Sequence, residues 1–190
     1  VRPRSQNPER GSSLIVVILV LAFMLAVGVA ILTITGIAPK VSGSVREQEE
    51  AFNSAEAGFD AARLAIERAL LDGTWANLQD NCLRTPVGID LPLDANYFRR
   101  QSDLALVQTL AEGTTGVLYK DRPFLKTAAG DDDMTRTYTV FLIDDEAGAA
   151  IPDPTDVLLV CIGVVRSGSR ILSTSRLEVL LGLENPGGNP

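Results

Sequence analysis

Hydrophobic and polar positions divide the chain into three regimes. From Ser12 to Thr35 it reads SSLIVVILVLAFMLAVGVAILTIT, an uncharged apolar run whose polar residues sit at its two ends. A helix needs about 20 such residues to cross a bilayer, and the run lacks the polar stripe at helical period that a soluble core helix carries. It predicts a membrane-spanning helix over 12–37. Gly36, Pro39 and Gly43 follow within eight residues. In a helix interior Gly costs roughly 1 kcal/mol and Pro roughly 3, so 38–43 is expected to bend, melt or stop the helix.

Helical period returns from Ser44. Phe52, Ala55, Phe59, Ala62, Ile66 and Ala69 recur at alternating spacings of three and four, with Arg46, Glu49, Asp60, Arg63 and Glu67 off that seam. The spacing predicts an amphipathic helix over 44–72, packed through Phe52, Ala55, Phe59, Ala62 and Ile66 and ended by Gly73. Ala51, Ala55, Ala57, Gly58, Ala61 and Ala62 make it thin, so that another backbone can come close, from the chain's own sheet, from neighbouring helices, or from both.

The third regime begins irregularly. Pro86, Pro92 and Pro123, with Asp90, Asp94, Asn96 and several Gly, break 75–127 into short pieces. We expect an irregular connection with one or two short elements there, Leu104 to Ala111 forming a helical turn or a strand. Strand patterns then dominate: Thr135 to Asp144, the nearly continuous apolar run Val157 to Arg166, and Arg170 to Leu183 after the hairpin turn Ser167-Gly168-Ser169. Three sequential strands imply an antiparallel sheet with one face covered by the apolar side of the 44–72 helix. The expected class is α+β, a long N-terminal helix in two halves packed on a C-terminal antiparallel sheet, within a domain over 73–183. The tail 184–190 is expected to be disordered.

Charge orients this arrangement. Arg2, Arg4 and Arg10 precede the apolar run against a single Glu9, so residues 1–11 are expected to be a cytoplasmic leader and the remainder to lie outside. Cleavage by the ordinary secretory peptidase is not expected, because the apolar run far exceeds the ~7 to 15 residues of a signal-peptide core. The formal charge is −7, and setting aside the leader's three Arg and one Glu leaves −9. No basic footprint for nucleic acid is visible in such an outer domain.

The chain contains no His, which removes His-dependent catalysis and the commonest metal ligand. Its two cysteines, Cys82 and Cys161, lack C-x-x-C spacing. In an oxidising compartment one disulfide between them is the natural reading, the alternative being two buried thiols. Asp131-Asp132-Asp133 and Asp144-Asp145-Glu146 offer hard oxygen ligands for calcium but lack the D-x-D-x-D-G pattern, and read as solvated loop. Nothing points to a catalytic residue, a metal or a cofactor.

Two motifs carry a resemblance. Arg10-Gly11-Ser12-Ser13-Leu14-Ile15-Val16-Val17 resembles the RG-small-small-LIV opening of PilX-type minor pilins, and Ala51-Phe52-Asn53-Ser54-Ala55-Glu56-Ala57-Gly58 resembles their AF-x-x-AEAG motif, about forty residues further on. With the basic leader and the C-terminal sheet, the whole looks like a type IV pilin-like protein with a class III signal peptide. The resemblance implies that a prepilin peptidase cuts between Gly11 and Ser12 and methylates the Ser12 amine. It further implies that the chain sits in the inner membrane with a periplasmic domain, then enters a helical bundle at the cell surface.

The partners so implied are other minor pilins and the major pilin through the N-terminal helix, the prepilin peptidase, the inner-membrane assembly platform and a tip adhesin. A separate assembly ATPase would supply the energy, since the chain has no phosphate-binding glycine loop. Pilins of the filament body generally carry a glutamate where this chain has Val16, which favours a priming or tip role. Other readings stay open: a minor pseudopilin of type II secretion, an uncleaved signal-anchored binding or scaffold protein, and a signal-anchored enzyme, for which Lys120 and Lys126 form no recognisable site. Glu56 either caps a charge on a neighbouring subunit or faces solvent.

Overall fold

A computed structural model describes residues 10–144, 146 and 156–182. The rest of the predicted leader, Asp145 and the predicted disordered tail 184–190 lie outside the described residues. Helix α1 runs from Arg10 to Leu71 over 62 residues. Its backbone stays helical through Gly36, Pro39 and Gly43, so the expected stop at 38–43 is absent. Extending an existing helix adds one hydrogen bond per residue, whereas a second helix needs a new and costly nucleus; long flanking turns therefore carry residues that would break a short helix. The chain nonetheless divides into two units just beyond Gly43, Val1–Val45 and Arg46–Pro190.

At its other end α1 stops at the predicted glycine. Gly73 takes φ +68°, donates to the Leu70 carbonyl at 3.2 Å, and lets Trp75 donate to the Ala69 carbonyl at 3.0 Å. A left-handed residue at this place closes the orphan carbonyls of the last turn, and glycine adopts it without steric cost.

Within Arg46–Pro190, four strands, β1 (Val117–Lys126), β2 (Asp132–Ile143), β3 (Asp156–Ser167) and β4 (Arg170–Gly182), pair antiparallel in sequence order. The last three form where alternation and the Ser167–Ser169 turn place them. Strand β1 was not expected: it lies in the stretch read as irregular connection, with register shifts on both sides of its middle. Pro123 is tolerated because β1 is an edge strand.

The near-continuous apolar run of β3 reflects burial on two faces. Val157, Leu159 and Cys161, with Val140 and Leu142 of β2, pack with Ala55, Ala62 and Ile66 of α1. Leu158, Val160, Ile162 and Val164, with Phe141 and Ile143, face the other way and pack with Leu83, Ile89, Phe98, Leu106 and Leu110. One covered face was expected; the structure has two, and the second cover is built from the unreadable segment itself. That layer contains a 3-10 turn at Phe98–Arg100 and helix α2 (Asp103–Thr109), capped by Ser102, whose hydroxyl accepts from the Ala105 N–H at 3.2 Å.

Charged hydrogen bonds hold this layer to β4. Arg176 donates through Nε to Asp103 Oδ1 at 2.6 Å, through Nη2 to the Gln101 carbonyl at 3.0 Å, and through Nη1 to the Phe98 carbonyl at 3.3 Å. Thr174 Oγ1 donates to Asp103 Oδ2 at 3.1 Å, and Arg99 Nε to Glu178 Oε2 at 2.8 Å. Truncation of Arg176 strands a carboxylate and two carbonyls that are mostly shielded from water. Arg176→Ala is expected to lower unfolding stability by roughly 2 kcal/mol, read as a lower urea midpoint with an unchanged slope.

Candidate functional site

The feature of greatest functional weight is α1, which changes character along its length. Leu14–Leu32 has mean hydropathy 3.3 and is exposed at every residue in the described structure. It is long and apolar enough to cross a membrane. Val16, at the position discussed above, is 57% exposed, and no charged residue occurs in this stretch. Gly11 and Ser12 fall in the first turn of α1, directly after Arg10.

From Arg46 onward, one face of α1 is spent on the sheet. Ala51, Ser54, Ala55, Gly58, Ala62 and Ile66 are buried, at the three-and-four spacing of a helical stripe. Helix backbone lies directly on strand backbone at one point: a Cβ added to Gly163 of β3 would stand 1.9 Å from the Ala51 carbonyl oxygen and 2.6 Å from the Ala55 nitrogen. A Cβ on Gly58 would meet Tyr138 and Val140 at 3.0 Å.

Four of the five predicted packing residues contact this core: Ala55, Ala62 and Ile66 are buried within it, and Phe59 is half-buried against it. Phe52 does not pack on the sheet, being 42% exposed. Successive helix residues are turned by about 100°, so Ala51 and Phe52 cannot both face the sheet, and at Gly163 there is no room for a ring. The outer face carries Phe52, Glu56, Asp60, Arg63, Leu64 and Glu67, all exposed.

Ion pairs fix the start of the docked segment. Glu50 accepts from Arg136 Nε at 3.0 Å and Nη2 at 2.9 Å, and from Arg46 Nε at 3.0 Å. Arg136 Nη1 also reaches Asp133 at 3.2 Å. Asp133 further accepts from the Thr135 hydroxyl and N–H at 2.5 and 2.9 Å, which holds its carboxyl below the ordinary value. This member of the acidic run is thus occupied by its own strand. Among the described residues, no group of three or more His, Cys, Asp or Glu is placed to hold a metal.

Cys82 and Cys161 are corrected as well. Both are buried free thiols in the aliphatic cluster under α1, and the expected disulfide is not formed. Burial pushes each thiol up to about 12, with Asp144 adding to the effect at Cys82. Disulfide chemistry proceeds through the thiolate, which this environment suppresses.

Residues 10–60 match a family model described as PilX N-terminal. The N-terminal region of the chain is similar to that of PilX-type minor pilins. The match takes in Gly11 and Ser12, the whole apolar stretch and the 51–58 motif, and it ends inside α1 ahead of the sheet. Comparison with curated proteins and with solved structures finds no match. PilX-type pilins are structural components of type IV pili, and the chain's similarity to them extends over residues 10–60. The four-stranded sheet and its second cover lie beyond the matched segment.

Proposed function

We propose that this protein is a non-catalytic minor pilin subunit that helps prime assembly of a type IV pilus or sits at its tip. In this reading Leu14–Leu32 anchors the precursor in the inner membrane, with the leader in the cytoplasm and Arg46 onward in the periplasm. A prepilin peptidase cuts between Gly11 and Ser12 and methylates Ser12. The observation that carries the reading is that Leu14–Leu32 is apolar on every side and exposed at every residue in the described structure. Such a surface is stable in lipid and equally stable among helices of its own kind, so one segment serves as anchor and as bundle core. Val16 in place of a glutamate leaves no buried carboxylate to pair with a neighbour's amine, which supports a low-copy place over bulk incorporation.

The deciding experiment is the intact mass and N-terminal residue of the protein from its native membrane. A chain beginning at methylated Ser12 is expected, and a chain that retains its leader would refute the processing step. Gly11→Ala is expected to leave a larger, membrane-retained precursor visible on an immunoblot, and normal processing of that variant would count equally against the reading.

A further inference from the structure

Between α2, β1 and the β3–β4 hairpin lies a cavity of about 450 Å³, lined in part by Gln108, Lys120, Asp121, Arg166 and Ser169. A kink in β1 builds it. Pairing with β2 slips between Tyr119 and Arg122, and there Asp121 takes φ +47°, a left-handed conformation that costs a non-glycine residue about 1 kcal/mol or more. Its N–H is held by Thr139 Oγ1 at 3.2 Å. The Asp121 carboxylate sits between two cations, with Oδ2 2.7 Å from Lys120 Nζ and Oδ1 2.7 Å from Arg166 Nη2. Lys120 also donates to the Val107 carbonyl near the C-terminus of α2. Burial raises the Asp121 pKa, but hydrogen bonds from Lys120 and Arg166 outweigh it and hold the group ionised below the ordinary value. The cluster therefore carries two positive charges against one negative.

Much of its donor capacity is unspent. A guanidinium has five N–H groups, and Arg166 gives one of them to Asp121. The Gln108 amide and the Ser169 hydroxyl, on the same cavity wall, make no hydrogen bond with the described residues. Three open donor groups and a net positive charge thus converge on a protein whose overall charge is −7.

We propose that this cavity receives an aspartate or glutamate carboxylate on an acidic segment of a partner protein. The planar fork of Arg166 matches a carboxylate, and Gln108 and Ser169 supply further donors around it. The volume suits one or two side chains, and the exposed turn at Gly168 and Ser169 leaves the mouth open to a passing chain. The protein's net charge of −7 disfavours non-specific binding of such a segment elsewhere. The proposal depends neither on cleavage at Gly11 nor on the membrane segment.

The test uses the full-length protein in detergent micelles and a fluorescent hexaglutamate peptide, acetylated and amidated, followed by anisotropy. Saturable, salt-sensitive binding is expected, weakened about tenfold or more by Arg166→Gln, as befits loss of a charge-assisted hydrogen bond. The double variant Gln108→Ala/Ser169→Ala is expected to weaken binding as well while leaving the Lys120–Asp121–Arg166 cluster intact. Arg84→Gln, at an exposed arginine elsewhere, is expected to change nothing. Absence of saturable binding, or equal binding by all these variants, overturns the proposal. Glutarate binding as tightly as the peptide would overturn the protein-segment assignment in favour of a small dicarboxylate. Inorganic phosphate competing more strongly than glutarate would overturn the carboxylate itself.

Discussion

Gly163→Ala is expected to lower the unfolding free energy by about 3 kcal/mol, at or above the upper end of ordinary overpacking. The added methyl would lie 1.9 Å from the Ala51 carbonyl oxygen and 2.6 Å from the Ala55 nitrogen, both backbone atoms of α1. A side chain could swing aside, but a helix backbone can only move as a body. Lifting α1 opens gaps around Ala55, Ala62 and Cys161, each of which is completely buried. Trp75 packs against the same cluster and reports the change by fluorescence. Gly182→Ala is the control, since an added Cβ there meets nothing within 4 Å. Equal urea midpoints for the two variants would refute the backbone-on-backbone docking.

A steep loss of stability in alkali is the second large effect. The ordinary thiol value is 9.0, whereas Cys82 and Cys161 are each raised to about 12 in the folded chain. Between those values the unfolded chain has released protons that the folded chain retains, so rising pH favours unfolding. The contribution of the buried thiols is complete below pH 9 and is lost as the pH climbs towards 12. The slope is roughly 1.4 kcal/mol per pH unit for each thiol, against a total stability of roughly 5 to 15 kcal/mol for an ordinary domain. Cys82→Ala/Cys161→Ala carries a constant cavity cost but is expected to show a shallower slope between pH 9 and 11. Identical slopes would contradict buried thiols. Alkylation in denaturant without reductant is expected to add two labels, and no labels would restore the disulfide.

Elements with a long, strong period were legible in the sequence, and elements held by distant partners were not. The apolar run, the amphipathic stripe and the strands β2 to β4 each repeat one pattern over many residues. Strand β1 does not, because Asp121 kinks it and Pro123 interrupts its donors. The second cover is harder still. Its 3-10 turn and seven-residue α2 are too short to announce themselves, and they persist through Phe98 in the core and Arg176 across 70-odd positions of sequence. On the sheet side Ala51 takes the place next to the seam that hydrophobicity alone would give to Phe52, because close approach there requires the smaller residue. Pro39 was given its local cost without the support of the turns around it. Of the candidate site, Gly11 and Ser12 were named through their resemblance to a family motif, whereas the Lys120–Asp121–Arg166 cavity left no linear trace, since the kink that assembles it joins residues 45 positions apart.

Burial of both sheet faces has a consequence for crowding. A protein gathered with others of its kind exposes two strand edges on which a stray chain can add and stack. The β1 edge is poorly suited to this, interrupted by Pro123 and bent by repeated register shifts. The β4 edge is regular from Val165 to Asp156 opposite it, but it carries Arg170, Arg176 and Glu178, two of them already clamped to the layer beneath. Neither edge welcomes another strand. Crowding at high local concentration therefore finds no strand edge on which to build, so proximity need not turn into aggregation.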